Sequence, residues 1–86
     1  MPVSNMDVVE RIARVIAARL VSINAEGGDA HAAQRVDSSW RDYRDDALSI
    51  LRTLREPDPV MAAAGDVAAW ERMIEAALAQ AGASAP

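Results

Sequence analysis

The fold class is decided by Val9-Glu10-Arg11-Ile12-Ala13-Arg14-Val15-Ile16-Ala17-Ala18-Arg19-Leu20-Val21-Ser22-Ile23, residues 9–23. Within it Val9, Ile12, Ile16, Leu20 and Ile23 recur at steps of three and four, which places them on one side of a 3.6-residue helix. Asp7–Arg11 and Glu10–Arg14 are acid-before-base pairs four residues apart on the other side, a spacing that supports an exposed helical face. Upstream, Ser4 is a candidate N-cap with Asp7 three residues later, an approximate capping box. Downstream, Gly27-Gly28 breaks the pattern. The first helix is therefore expected over about residues 5–25.

Residues 26–37 show no period and read as a loop, with room for one helical turn near Ala32. Asp37, Ser38 and Ser39 offer N-caps for a second helix over 38–55. Its apolar positions are Trp40, Tyr43, Ala47, Leu48, Ile50, Leu51 and Leu54, and Pro57 stops it by forcing the preceding residue out of the α region. Asp58-Pro59 is a cap followed by the first-turn proline, and Gly65 occupies a C-cap position, so a short helix is expected at 59–64. Asp66 caps a last helix, 67–81, with Val67, Trp70, Ile74, Ala77, Leu78 and Ala81 on one face. Gly82 ends it, and residues 83–86 read as a frayed tail. No strand and no internal repeat is legible. The expectation is an all-α fold, one helical domain over 1–82 built as a small bundle of three longer helices and one short one.

The chain has 86 residues, net charge −4 and no cysteine. A domain of this size buries only roughly 60% of its unfolded surface and usually needs a staple or a partner. Disulfides are excluded, and a structural zinc site lacks ligands because His31 is the sole histidine. Nineteen alanines and no phenylalanine make a shallow core, so completion by a second copy, a homo-oligomer, is expected. No membrane span is present, since none of the apolar runs approaches roughly 20 residues. The opening residues 1–7 lack the basic region and apolar run of a signal peptide, so the expected location is the cytoplasm. The acidic balance argues against nucleic acid as partner.

All nine basic residues are arginine. GC-rich codon usage accounts for the total; selection for planar groups that grip phosphate or carboxylate is the alternative. Position separates them further. On the first helix Arg19 falls among Ile12, Val15, Ile16 and Ile23, whereas Arg11 and Arg14 fall on the polar side. On the second, Arg44 lies between Trp40 and Leu48, and Arg55 extends the Leu48–Leu51 edge, with Arg41 and Arg52 further out toward solvent. A guanidinium on an apolar face either snorkels, pairs internally with a carboxylate such as Glu71 or Asp46, or holds a bound anion. Trp40, Tyr43 and Trp70, the only aromatics, belong either to the core or to a stacking surface beside those arginines. The candidate ligand-binding set is Arg44, Arg55, Trp40, Tyr43, Trp70 and Arg19. No catalytic constellation stands out: His31, Asp37, Ser38 and Ser39 crowd into one loop, and Asp45-Asp46 point in different directions on a helix. Neither a glycine-rich phosphate loop nor metal-ligand spacing is present, so no cofactor, no metal and no enzymatic activity are expected.

From Trp40 to Leu78 the chain resembles small helical proteins of proteobacterial tailed phages and prophages. The residues that carry the likeness are Trp40, Tyr43, Ala47, Leu54-Arg55-Glu56-Pro57, Met61, Ala64-Gly65, Trp70, Met73-Ile74 and Ala76-Ala77-Leu78. Val8-Val9-Glu10-Arg11-Ile12-Ala13-Arg14 is similar to their usual opening, and Asp58 stands where threonine is commoner. The resemblance implies a phage accessory protein acting in the host cytoplasm. By analogy with sequestin-type sponges, it implies capture of an anionic nucleotide immune signal, a cyclic ADP-ribose isomer or a cyclic dinucleotide, without turnover. The alternative is a helical protein–protein interaction module, an inhibitor of a host defence protein or a virion adaptor. Arginines inside apolar faces would favour the first, and an exposed apolar patch around Met6, Val21 and Val60 the second.

Overall fold

The computed structural model describes residues 3–24 and 30–83, and the only regular structure within them is helical, with no strand. Helix α1 spans Val8–Asn24, α2 Ala32–Ser39, α3 Arg44–Leu54, α4 Pro59–Ala64 and α5 Val67–Ala83. A single 3₁₀ turn, Trp40–Tyr43, joins α2 to α3 without a break. The result is three long helical stretches and one short one, as the sequence predicts, but the second stretch starts at Ala32 rather than near residue 38.

That difference corrects the loop expected over 26–37; its first residues, and Gly27-Gly28 with them, lie outside those described. Residues 32–37 lack amphipathic period because only Val36 packs on the core. The helix rests instead on good helix formers, Ala32, Ala33, Gln34 and Arg35. Ser38 and Ser39, expected as N-caps, lie inside α2, where both hydroxyls donate to the Arg35 carbonyl, at 3.1 and 2.6 Å. Such back-bonding competes with the regular i−4 ladder, and the chain tightens into the 3₁₀ turn immediately afterwards.

The starts of α1, α4 and α5 follow from side-chain caps. Asp7, not Ser4, caps α1: its Oδ1 accepts from the Glu10 amide at 2.7 Å, while Ser4 Oγ accepts from Met6 two residues on, at 3.2 Å. Asp7 followed by Glu10 is the stronger capping pair, because it places an acid at both ends of the first turn. Asp58 accepts from the Met61 amide at 2.9 Å and Asp66 from the Ala69 amide at 3.1 Å, as expected of both. Gly65 follows α4 in extended conformation, φ −164°, so the helix ends there without a left-handed cap. Gly82 lies inside α5, one residue short of its end.

α1 is the centre of the fold; α2, the 3₁₀ turn, α3 and α5 all pack on it, and α3 and α5 pack on each other. Among the described residues the buried core consists of Val9, Ala13, Ala17, Trp40, Ala47, Leu51, Ile74 and Ala81. Half of them are alanine, and Ala13 and Ala17 of α1 share one cluster with Ala47 and Leu51 of α3. The buried stripe of α1 is thus Val9-Ala13-Ala17, flanked by Ile12 and Ile16, and it is centred away from Arg19. α4 buries no residue.

Candidate functional site

At its N-terminal end α3 faces the C-terminal end of α5 across a groove of about 340 Å³, lined by Arg41, Arg44 and Arg52, by Asp42 and Asp45, and by Leu48 and Leu78. Arg44 is half-buried there and its Nη2 donates to the Ala81 carbonyl at 3.2 Å. Carbonyls in the last turn of a helix have no partner within it and carry the negative end of its dipole. Arg44 thus ties α3 to the end of α5. Its hydrogen-bonding partner is a backbone carbonyl rather than the Glu71 or Asp46 carboxylate weighed from sequence.

Trp40 lies in the core at 8% exposure. Guanidinium groups stand over its ring, Arg41 at 4.5 Å and Arg14 at 5.3 Å from the centroid. These are cation–π distances, and they leave the indole covered. Arg14 also joins two helices: its Nε donates to Glu10 at 2.7 Å and its Nη1 to Asp37 of α2 at 2.6 Å. Hydrogen bonding to Asp37 and then to Glu10 holds the Arg14 guanidinium above its ordinary pKa.

Of the six residues singled out in the sequence, the structure places Trp40, Tyr43 and Arg44 around the start of α3, with Tyr43 half-buried against the core. Trp70 and Arg55 stand at its other end. There Trp70, half-buried, donates from Nε1 to the Leu54 carbonyl at 2.7 Å, and Arg55 is exposed just past the helix. Eleven residues separate Arg44 from Arg55, about 16 Å of helix axis. Arg19 is exposed on α1, because the stripe that packs is the alanine one. The set therefore does not converge on a single pocket, and only Arg44 lines the groove. Arg41 and Arg52 are exposed as expected, but they line it too. Arg14 was read only as a surface ion-pair partner; its second partner, Asp37, becomes apparent once residues 32–39 are recognised as helix.

Two further surface features lie elsewhere. A groove of about 570 Å³ runs between the N-terminal segment and α5, with Val3, Met6 and Val8 on one wall and Met73, Ala76 and Ala77 on the other, and with Ser4, Asn5, Asp7, Arg11 and Gln80 also lining it. On the outer side of α3, Ile50 and Leu54 are exposed together, with Ser49 and Thr53 beside them. Among the described residues no group of histidine, cysteine or carboxylate side chains is arranged to hold a metal ion, and no helix is long and apolar enough to cross a membrane. In comparisons with known proteins the chain matches no family model, no curated protein and no solved structure.

Proposed function

We propose that this chain is a helical protein–protein interaction module, an adaptor or an inhibitor of another protein. The observation that carries the reading is the large apolar side chains left outside the core, among them Val60 at 80%, Met73 at 66%, Met6 at 42% and Ile50 at 40% exposure. Apolar surface left outside so small a core is characteristic of a chain that completes itself on a partner.

Capture of a nucleotide signal is the second reading, and the three arginines of the α3–α5 groove favour it. Two aspartates share that groove, and Trp40 is covered rather than offered for stacking, so the interaction module takes precedence. A capture experiment with the double variant Ile50→Glu/Leu54→Glu tests it. The expected result is a single protein retained by the wild-type chain, lost with the variant, and rebound when purified. If no such protein exists and a cyclic nucleotide instead binds, is released intact on heating, and is lost with Arg44→Gln, the sponge reading replaces it.

A further inference from the structure

We infer that the groove between the N-terminal segment and α5 is a homodimer face, occupied by the same face of a second copy; the inference rests on the interaction-module reading and names one partner for it. Met73 stands at the rim, 66% exposed, beside a recess walled by Met6 and Val8. Knob and recess thus lie on one face, the condition for a two-fold interface in which each chain inserts what the other receives. Along this side of α5, Ala69, Met73 and Ala76 follow one another at steps of four and three. That is the spacing by which two helices keep a common seam. Two antiparallel α5 helices bring Met73 of each chain over the small Ala76 of the other and onto the groove behind it.

Charge agrees with this occupant. The groove carries one carboxylate, Asp7, and one guanidinium, Arg11, a balanced pair that a two-fold axis matches with its own opposite. A strongly acidic or basic partner finds no counterpart there. The Ile50–Leu54 patch lies on α3, outside this groove.

Light scattering and sedimentation over 5–200 µM test the assignment. The wild-type chain is expected at twice its 9.2 kDa mass, Met73→Glu at the single mass with unchanged helical circular dichroism, and Val15→Glu, exposed on α1, still at the double mass. Met73→Cys supplies a check that does not depend on how the charged variant folds. The chain has no cysteine of its own, so a short bismaleimide should link Met73→Cys chains into a covalent pair and leave Val15→Cys chains single. A wild-type chain at the single mass at 200 µM, a Met73→Glu chain that stays paired, or Met73→Cys chains that do not link would each overturn the proposal. A monomer that still captures its partner through Ile50 and Leu54 overturns only the second copy. A Met73-dependent dimer that captures nothing overturns only the adaptor reading.

Discussion

Leu51→Ala is the sharpest test of how this fold is held. Leu51 is 1% exposed, and with Val9 it is the largest fully buried side chain. Removing three carbons loses about 2 kcal/mol of transfer free energy. The remainder depends on whether the neighbourhood collapses into the space. Ala13, Ala17 and Ala47 share the cluster, and alanine has no side-chain rotamer with which to fill a void. The loss therefore belongs in the upper part of the range of ~2.7–5 kcal/mol found for buried leucine truncations. A chain of this size has about 4–13 kcal/mol in total, and each kcal/mol is worth roughly 4–8 °C in melting temperature. The expected drop is about 15 °C or more in a melt followed by circular dichroism at fixed concentration. Leu54→Ala, at 39% exposure, should move it by only a few degrees. If Leu51→Ala and Leu54→Ala shift it equally, the eight-residue cluster is not what holds the helices together.

Three further outcomes are expected. Trp70→Phe keeps the ring but removes the Nε1 donor to the Leu54 carbonyl, and should cost ~0.5–1.5 kcal/mol in urea unfolding; no change would mean water replaces that bond without loss. Asp7→Ala should destabilise by about 1 kcal/mol through loss of the α1 cap, and Ser4→Ala by a few tenths at most; the reverse order would restore Ser4 as the cap. Arg14, held above its ordinary value, contributes stability that is present below its unfolded pKa and lost only as pH rises through the folded one. The melting-temperature difference between wild type and Arg14→Gln should therefore be constant from pH 7 to 10, and a difference that fades toward pH 10 would place Arg14's contribution elsewhere.

The helices were legible wherever a periodic apolar face or a cap declared them. α4, with Asp58, Pro59 and Gly65 at its ends, is expected and found at 59–64, and α5 differs only at its last residues. α2 was not legible, because its helicity rests on propensity and a single packed valine, and a search for periodicity sees nothing there. The register of α1's buried face was misleading for a related reason. Hydrophobicity weights isoleucine and leucine above alanine, yet close helix packing put Ala13 and Ala17 at the centre and left Leu20 exposed. Arg19, apparently surrounded by aliphatic neighbours, therefore lies in solvent. The candidate site was legible only in part. Arg44's position on an apolar edge was visible, but its carbonyl partner belongs to a helix thirty-seven residues away, and Trp40's two cations come from different elements.

The buried alanines of α1 and α3 also constrain how this sequence can drift. Ala13, Ala17 and Ala47 are at most 1% exposed, so a larger side chain there overpacks the cluster, which typically costs ~1–3 kcal/mol; a glycine costs up to ~1 kcal/mol in helix propensity. Alanine is thus bounded on both sides, by space above and by backbone freedom below, while Leu51 or Ile74 can exchange with another aliphatic of like volume. In a lineage descending from this chain, the least eye-catching residues should be the slowest to change, and the bulky ones that catch the eye should be freer to vary.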